Sequence, residues 1–181
     1  MLMNILFYIF LTVVTLTIIA LVVALFGRKA YIVSAEIVVD KSVELTYSYL
    51  RKMGNQKYFN KWVMADPNAK FSEQGVDGEE EFVLSWDSDN KQVGAGSQKI
   101  VGVSLNDSVH YEVQFIRPFE GTAYSRFEFE KASEHQTKVL WSFQSSMKYP
   151  SNIFLILFKV DRMLQRDMEV SMRNLKALLE A

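Results

Sequence analysis

The sequence predicts an α+β domain in which a curved antiparallel sheet of about seven strands wraps one long carboxy-terminal helix, with a single membrane-spanning helix ahead of it. Three observations carry this. Ser151 to Glu180 hold an apolar stripe on a helical period, Tyr31 to Lys148 read mainly as alternating strands, and Asn4 to Phe26 form an almost unbroken apolar run.

The carboxy-terminal helix is the element the sheet has to grip. Pro150 stops the preceding strand, and Ser151 is placed to cap the first free N–H groups of a helix. Phe154, Leu157, Leu164, Met168, Met172, Leu175 and Leu178 then recur at three- and four-residue steps. Lys159, Arg162, Arg166, Arg173 and Lys176 fall largely off that stripe. At about 1.5 Å per residue this helix is on the order of 45 Å long.

At the other end, Asn4 to Phe26 is interrupted only by Asn, Tyr and Thr. As a helix it spans roughly 30 Å, the thickness of a hydrocarbon core. A core helix apolar on every side is one alternative, unusual in a domain this small. A cleaved signal peptide is another; against it stand the missing basic n-region, the length of the run and the lack of an A-x-A-like site before Gly27. An uncleaved anchor is the favoured reading. Arg28 and Lys29 follow at once, so the positive-inside bias puts the globular domain in the cytoplasm. The chain divides into an anchor with its basic flank, residues 1–29, and one domain, residues 30–181.

Of the residues, 49% are hydrophobic, and much of the excess sits in the first 27, which carry no charged side chain. The 20 Lys+Arg and 21 Asp+Glu therefore all belong to the remainder, and such a balance argues against nucleic acid as the partner. With no cysteine there are no disulfides, thiolate nucleophiles or cysteine-based zinc sites.

Between the two helices the elements follow in order. Tyr31 to Val39 is a β-branched first strand. Asp40 or Ser42 caps a short helix over Val43 to Met53, ended by Gly54-Asn55. Gln56 to Val63 is a second helical or turn segment carrying Tyr58, Phe59 and Trp62, and Asp66-Pro67-Asn68 is a turn. Strands follow over Lys70 to Gln74, Glu81 to Trp86, Gln92 to Leu105, Val109 to Arg117, Ala123 to Lys131 and Lys138 to Lys148, separated by turn-forming residues. Val109, Tyr111, Val113 and Phe115 share one face of their strand, and Val139, Trp141, Phe143, Ser145 and Met147 one face of theirs. His110, Glu112, Gln114, Arg126, Glu128 and Glu130 lie on solvated faces.

This order, with several local strings, resembles the START-like superfamily of helix-grip fold, and within it the polyketide cyclase/dehydrase and lipid-transport group. The strings are Trp62 followed by Asp66-Pro67-Asn68-Ala69, Trp86-Asp87, Val93-Gly94-Ala95-Gly96-Ser97, Tyr111-Glu112-Val113 with Arg117-Pro118-Phe119-Glu120-Gly121, Val139-Leu140-Trp141-Ser142-Phe143, and Asn174-Leu175-Lys176-Ala177-Leu178. Together they cover nearly all of residues 31–181, and the anchor lies outside them. The resemblance implies a curved sheet around the carboxy-terminal helix with an apolar cavity between. It implies no reaction, because the superfamily includes binders, transporters, cyclases and partner-binding modules.

Candidate chemistry is sparse. Asp161 lies on or beside the apolar stripe, where it either projects into the cavity to orient a ligand or pairs at the helix edge with Arg162 or a strand lysine; the edge pairing is the simpler account. Gly94-x-Gly96 lacks the third glycine and following helix of a phosphate loop, and fits a crowded strand bend instead. Asp87 to Lys91 starts like a calcium loop, but Gln92 and Gln98 stand where Gly and Glu are required. His110 and His135 have no partners at metal-ligand spacing, and Glu79-Glu80-Glu81 reads as a solvated hairpin. Trp141 fits core, Trp62 fits core or a gate at the cavity mouth, and Phe154 to Phe158 fits burial, the cavity mouth or the membrane.

The expectation is a membrane-anchored domain that binds or moves a hydrophobic small molecule or lipid at the inner leaflet. Its ligand-binding residues would be Trp62, Trp86, Tyr111, Phe115, Trp141, Leu157, Asp161 and Leu164, with no metal, cofactor or nucleic acid. Two alternatives stand beside it: a cyclase- or dehydratase-like enzyme using Asp161, Tyr111 and His110, and a module that docks a protein partner without a ligand.

Overall fold

In a computed structural model, which describes residues 2–181, the chain begins with α1 (Leu2–Phe26), a 25-residue helix whose side chains are nearly all exposed. It is long and apolar enough to cross a membrane. Its threonines fit an apolar surrounding, because Thr12, Thr15 and Thr17 each return their hydroxyl to the carbonyl one turn back, at 2.8, 2.8 and 2.9 Å.

Seven strands follow, β1 (Ala30–Val39), β2 (Lys70–Gln74), β3 (Val83–Asp87), β4 (Ala95–Ser104), β5 (Ser108–Arg117), β6 (Gly121–Lys131) and β7 (Thr137–Ser146). They form one antiparallel sheet in the order β1-β7-β6-β5-β4-β3-β2. Between β1 and β2 lie α2 (Val43–Leu50) and two short 3-10 turns, Met53–Tyr58 and Val63–Ala65. The chain ends in α3 (Ile153–Leu157) and α4 (Val160–Glu180). The curved sheet and carboxy-terminal helix make a helix-grip α+β fold.

Alternation decides which way the sheet faces. Val33, Tyr111, Phe127, Val139 and Trp141 point inward from four adjoining strands and are buried together with Met168, Met172 and Leu175 of α4. The partner positions His110, Glu112, Arg126 and Glu128 stay partly exposed on the outer face. Two straps fix α4 across the sheet. Asn174 donates to the Phe59 carbonyl at 3.2 Å and the Ser171 hydroxyl accepts from the Lys61 N–H at 2.9 Å, while Lys176 reaches the Val38 carbonyl at 2.7 Å.

The structure corrects the expected single helix over Ser151 to Glu180. It is two helices, because Lys159 adopts a left-handed backbone (φ +48°) that no helix can continue through. α3 turns aside between α1 and α4, setting Ile156 against Gly27 and Leu155 into the core. Leu155 is the fully buried residue of α3, whereas Leu157 is 63% exposed and Phe154 sits at the surface. Leu178 also lies outside the core, while Met168, Met172 and Leu175 hold the stripe as expected. The helix start moves as well, for Asn152 rather than Ser151 precedes α3, and its side chain caps nothing there.

The α1–domain junction is tightly packed. The buried Asn152 side chain donates to the Ala24 carbonyl of α1 at 2.6 Å, supplying one of the partners that the end of a helix lacks. A Cβ added at Gly27 would meet Ile156 Cδ1 and the Val23 carbonyl at 3.0 Å, so α3 and α1 approach closely enough here that a side chain would have to push a neighbour aside. The Met147 N–H, just past the end of β7, donates to the Lys29 carbonyl at 2.7 Å.

Candidate ligand-binding site

Two groups of inner aromatics bear on the site. The first is a row across the grip: Trp62 meets Trp141 edge-on with ring centroids 5.5 Å apart, Trp141 stacks on Phe127 at 5.1 Å, and Phe127 meets Tyr111 edge-on at 6.1 Å. β-pairing sets this up, since Phe127 and Trp141 are direct cross-strand partners on the inner face. The polar ends are satisfied inside. Trp141 Nε1 donates to Ser125 Oγ at 2.8 Å, and the Tyr111 hydroxyl donates to the Leu50 carbonyl at 3.2 Å. Burial pushes the Tyr111 phenol well above its ordinary range, so it stays neutral.

The second group is Trp86 with Phe115, edge-on at 6.1 Å on the β3–β5 side of the sheet. Trp86 Nε1 donates to the Val93 carbonyl at 3.3 Å. Leu164 is half-buried on α4 against the same core. The structure thus gathers Trp62, Tyr111 and Trp141, sets Trp86 and Phe115 beside them, and leaves Leu157 outside on α3. Side chains occupy the centre: Tyr111, Phe59, Phe127, Ile100, Met168 and Met172 are all buried almost completely.

Trp62 joins this interior to the surface. Its indole Nε1 donates to one oxygen of Asp167 at 3.2 Å, while the Lys61 ammonium binds the other oxygen. Lys61 and Asp167 in turn line an open groove of about 520 Å³ with Phe158, Lys159, Arg162, Met163, Arg166 and Val170. Asp167 and Lys61 are the functional candidates that sequence reasoning missed. Their signal is faint: a carboxylate among the basic residues of a helix face, and a lysine beside a tryptophan.

Asp161 has neither of its expected partners, Arg162 or a strand lysine. It accepts from Arg28, the first residue after Gly27, at 2.7 Å. That hydrogen bond holds its carboxyl below the ordinary range, against the opposing effect of its partial burial. A carboxylate lowered in the folded state adds stability above its unfolded pKa and loses it as the pH falls through the folded one. Asp161→Asn should therefore lower the urea midpoint at pH 6, by the equivalent of about 0.5–1 kcal/mol for so exposed a pair. The gap to the wild-type chain should close below about pH 4. A gap unchanged between pH 6 and pH 3 would count against the ion pair.

Asp161, Tyr111 and His110 do not converge. Tyr111 is sealed inside on Leu50, Asp161 binds Arg28, and His110 lies on the opposite face of β5 from Tyr111, within 3.2 Å of the Ser108 hydroxyl. Burial and the nearby Arg126 lower the His110 pKa. Among the described residues no cluster of His, Asp and Glu is arranged to hold a metal. Gly94 (φ +64°) and Gly96 sit at a β4 irregularity where added side chains would collide, as their crowding implied.

This geometry defines a helix-grip protein, and solved structures of that shape match the chain. Norcoclaurine synthase from Thalictrum flavum, in complex with dopamine and hydroxybenzaldehyde, matches with a TM-score of 0.58 at 11% identity, over 85% of this chain and 91% of that one. The Aha1 dimer from Colwellia psychrerythraea gives 0.53 at 20% identity, over 83% and 96%. Major latex-like protein 151 from Panax ginseng gives 0.53 at 15% identity, over 84% and 99%. At such identities the likeness speaks to fold. No protein-family model and no curated protein matches the chain.

Proposed function

We propose that the chain is a membrane-anchored helix-grip protein that takes up a hydrophobic small molecule or lipid between the sheet and α4. α1 is the anchor, and residues 30–181 are the binding domain, facing the cytoplasm by the charge of Arg28 and Lys29. The carrying observation is Trp62, whose ring closes the aromatic row while its two neighbours, Lys61 and Asp167, line an open groove. A single side chain with a weak, solvent-reachable hydrogen bond then separates surface from interior. Ligand binding by a neighbour of the same shape, the complex of norcoclaurine synthase, lends support. Anchoring keeps the domain at the surface into which apolar ligands partition.

The test is photolabelling of the full chain in nanodiscs with a fatty acid carrying a diazirine at its tail. Labelled peptides from β7 and α4, around Trp141 and Leu164, are expected, and Trp62→Ala should raise their share several-fold by opening the path. Label confined to α1 and α3 would overturn the reading. The filled centre of the grip favours one other account, a domain that docks a protein partner and carries no ligand; the absence of interior labelling would move the assignment there.

A further inference from the structure

The domain as a whole is nearly neutral, yet four of its cations share one groove. Lys159, Arg162 and Arg166 line the groove at the start of α4, and none of the three forms an ion pair among the described residues. Lys61 is the fourth cation, and Asp167, which it binds, is the lone acid of the lining. Phe158, Met163 and Val170 supply an apolar side to the same groove. Such a pairing of guanidinium forks with apolar surface suits a phosphate attached to something greasy.

Position narrows the choice. Asp161, in the first turn of α4, is held by Arg28 directly after α1, and Ile156 of α3 packs on Gly27. Lys159 and Arg162 therefore lie within one helical turn of Asp161, the residue that Arg28 ties to the end of α1, and Arg166 one turn further on. Beside them α3 and the Phe158 that follows it show an exposed apolar rim of Phe154, Ile156, Leu157 and Phe158, with Phe158 67% exposed and shared between rim and groove. A short apolar helix next to unpaired cations is the composition of a segment lying in a membrane interface.

We propose that the groove binds the phosphate headgroup of an anionic phospholipid in the leaflet that α1 leaves, with α3 sunk to the boundary of headgroups and acyl chains. Arg162 and Arg166 grip the phosphate, Lys159 and Lys61 add charge, and Phe158 and Met163 lie along the upper acyl chain. The proposal rests on α1 being a membrane span, and adds a site that an anchor alone would not need.

Native mass spectrometry of the full chain, released from nanodiscs of mixed phosphatidylcholine and phosphatidylglycerol, reads the site directly. Phosphatidylglycerol should be enriched among the retained lipids over its share of the mixture. Arg162→Glu with Arg166→Glu should cut that enrichment about tenfold or more. Both residues are exposed and unpaired, so the unfolding midpoint should stay near that of the wild-type chain; the double glutamine variant, with partial loss of enrichment, checks this independently. Retention of both lipids in their bulk ratio, or enrichment indifferent to the substitutions, would overturn the proposal. Inorganic phosphate bound by the chain in neutral nanodiscs, without enrichment of the anionic lipid, would make the groove a free-anion site and overturn the lipid assignment. A chain that fails to enter nanodiscs at all would overturn the anchor as well, so the two failures are distinct.

Discussion

Trp141→Ala should destabilise the domain by about 3–5 kcal/mol, a large share of the ~5–15 kcal/mol that holds an ordinary domain together. The residue is 3% exposed, stacked on Phe127, met edge-on by Trp62 and bonded through Nε1 to Ser125. Truncation removes all three contacts and leaves a buried hydroxyl without its donor. Trp141→Phe, which keeps most of the ring, should cost mainly the hydrogen bond, about 1 kcal/mol plus a small void. Urea unfolding of the full chain in nanodiscs, followed by far-ultraviolet circular dichroism, gives both values. The outcome also bears on function. A loss under about 1 kcal/mol for Trp141→Ala would mean the grip tolerates an empty volume there, as a ligand pocket does and a packed core does not.

Gly96→Ala should cost about 2–4 kcal/mol, for a different reason. A methyl group at this position would lie 2.4 Å from the Gln114 carbonyl oxygen and 2.5 Å from the Trp86 ring. The ring can move, but the carbonyl belongs to the backbone of β5 and is fixed by the sheet. Relieving only the ring contact, with Trp86→Leu added to Gly96→Ala, should therefore recover part of the loss. Full recovery would show that the carbonyl contact is not limiting. Gly121→Ala is the contrast, since nothing lies within 4 Å of its added carbon. That change should stay within about 0.5 kcal/mol, measured by the same unfolding curves.

Glycine crowding of this kind is legible in the sequence, because Gly94 and Gly96 flank Ala95 at the mouth of an alternating strand. Period-two alternation likewise reports the inner faces of β5 and β7, down to Tyr111 and Trp141. What stays hidden has a common physical origin. Phe154 to Phe158 is apolar at every position, so its pattern names no face; the fold sends Leu155 into the core and sets Ile156 against Gly27. The break at Lys159 depends on one backbone angle in a residue that any helix would accept. Asp161 finds Arg28 from 133 positions away, across a junction that local spacing does not encode. Trp62 fits core or gate by sequence, and only its bond to Asp167, set against its contact with Trp141, shows that it touches both sides.

The packed junction has a mechanical consequence. Only Gly27 to Lys29 separate α1 from β1, and Asn152, Ile156 and Arg28 leave even those residues little freedom to swing. Three residues extend no further than about 10 Å. With α1 in a bilayer, the domain therefore has no leash. On the proposed anchoring it would ride at a fixed height and tilt, gliding with its helix and meeting what floats in the same headgroup layer, while a partner standing well clear of that layer would have to descend to reach it.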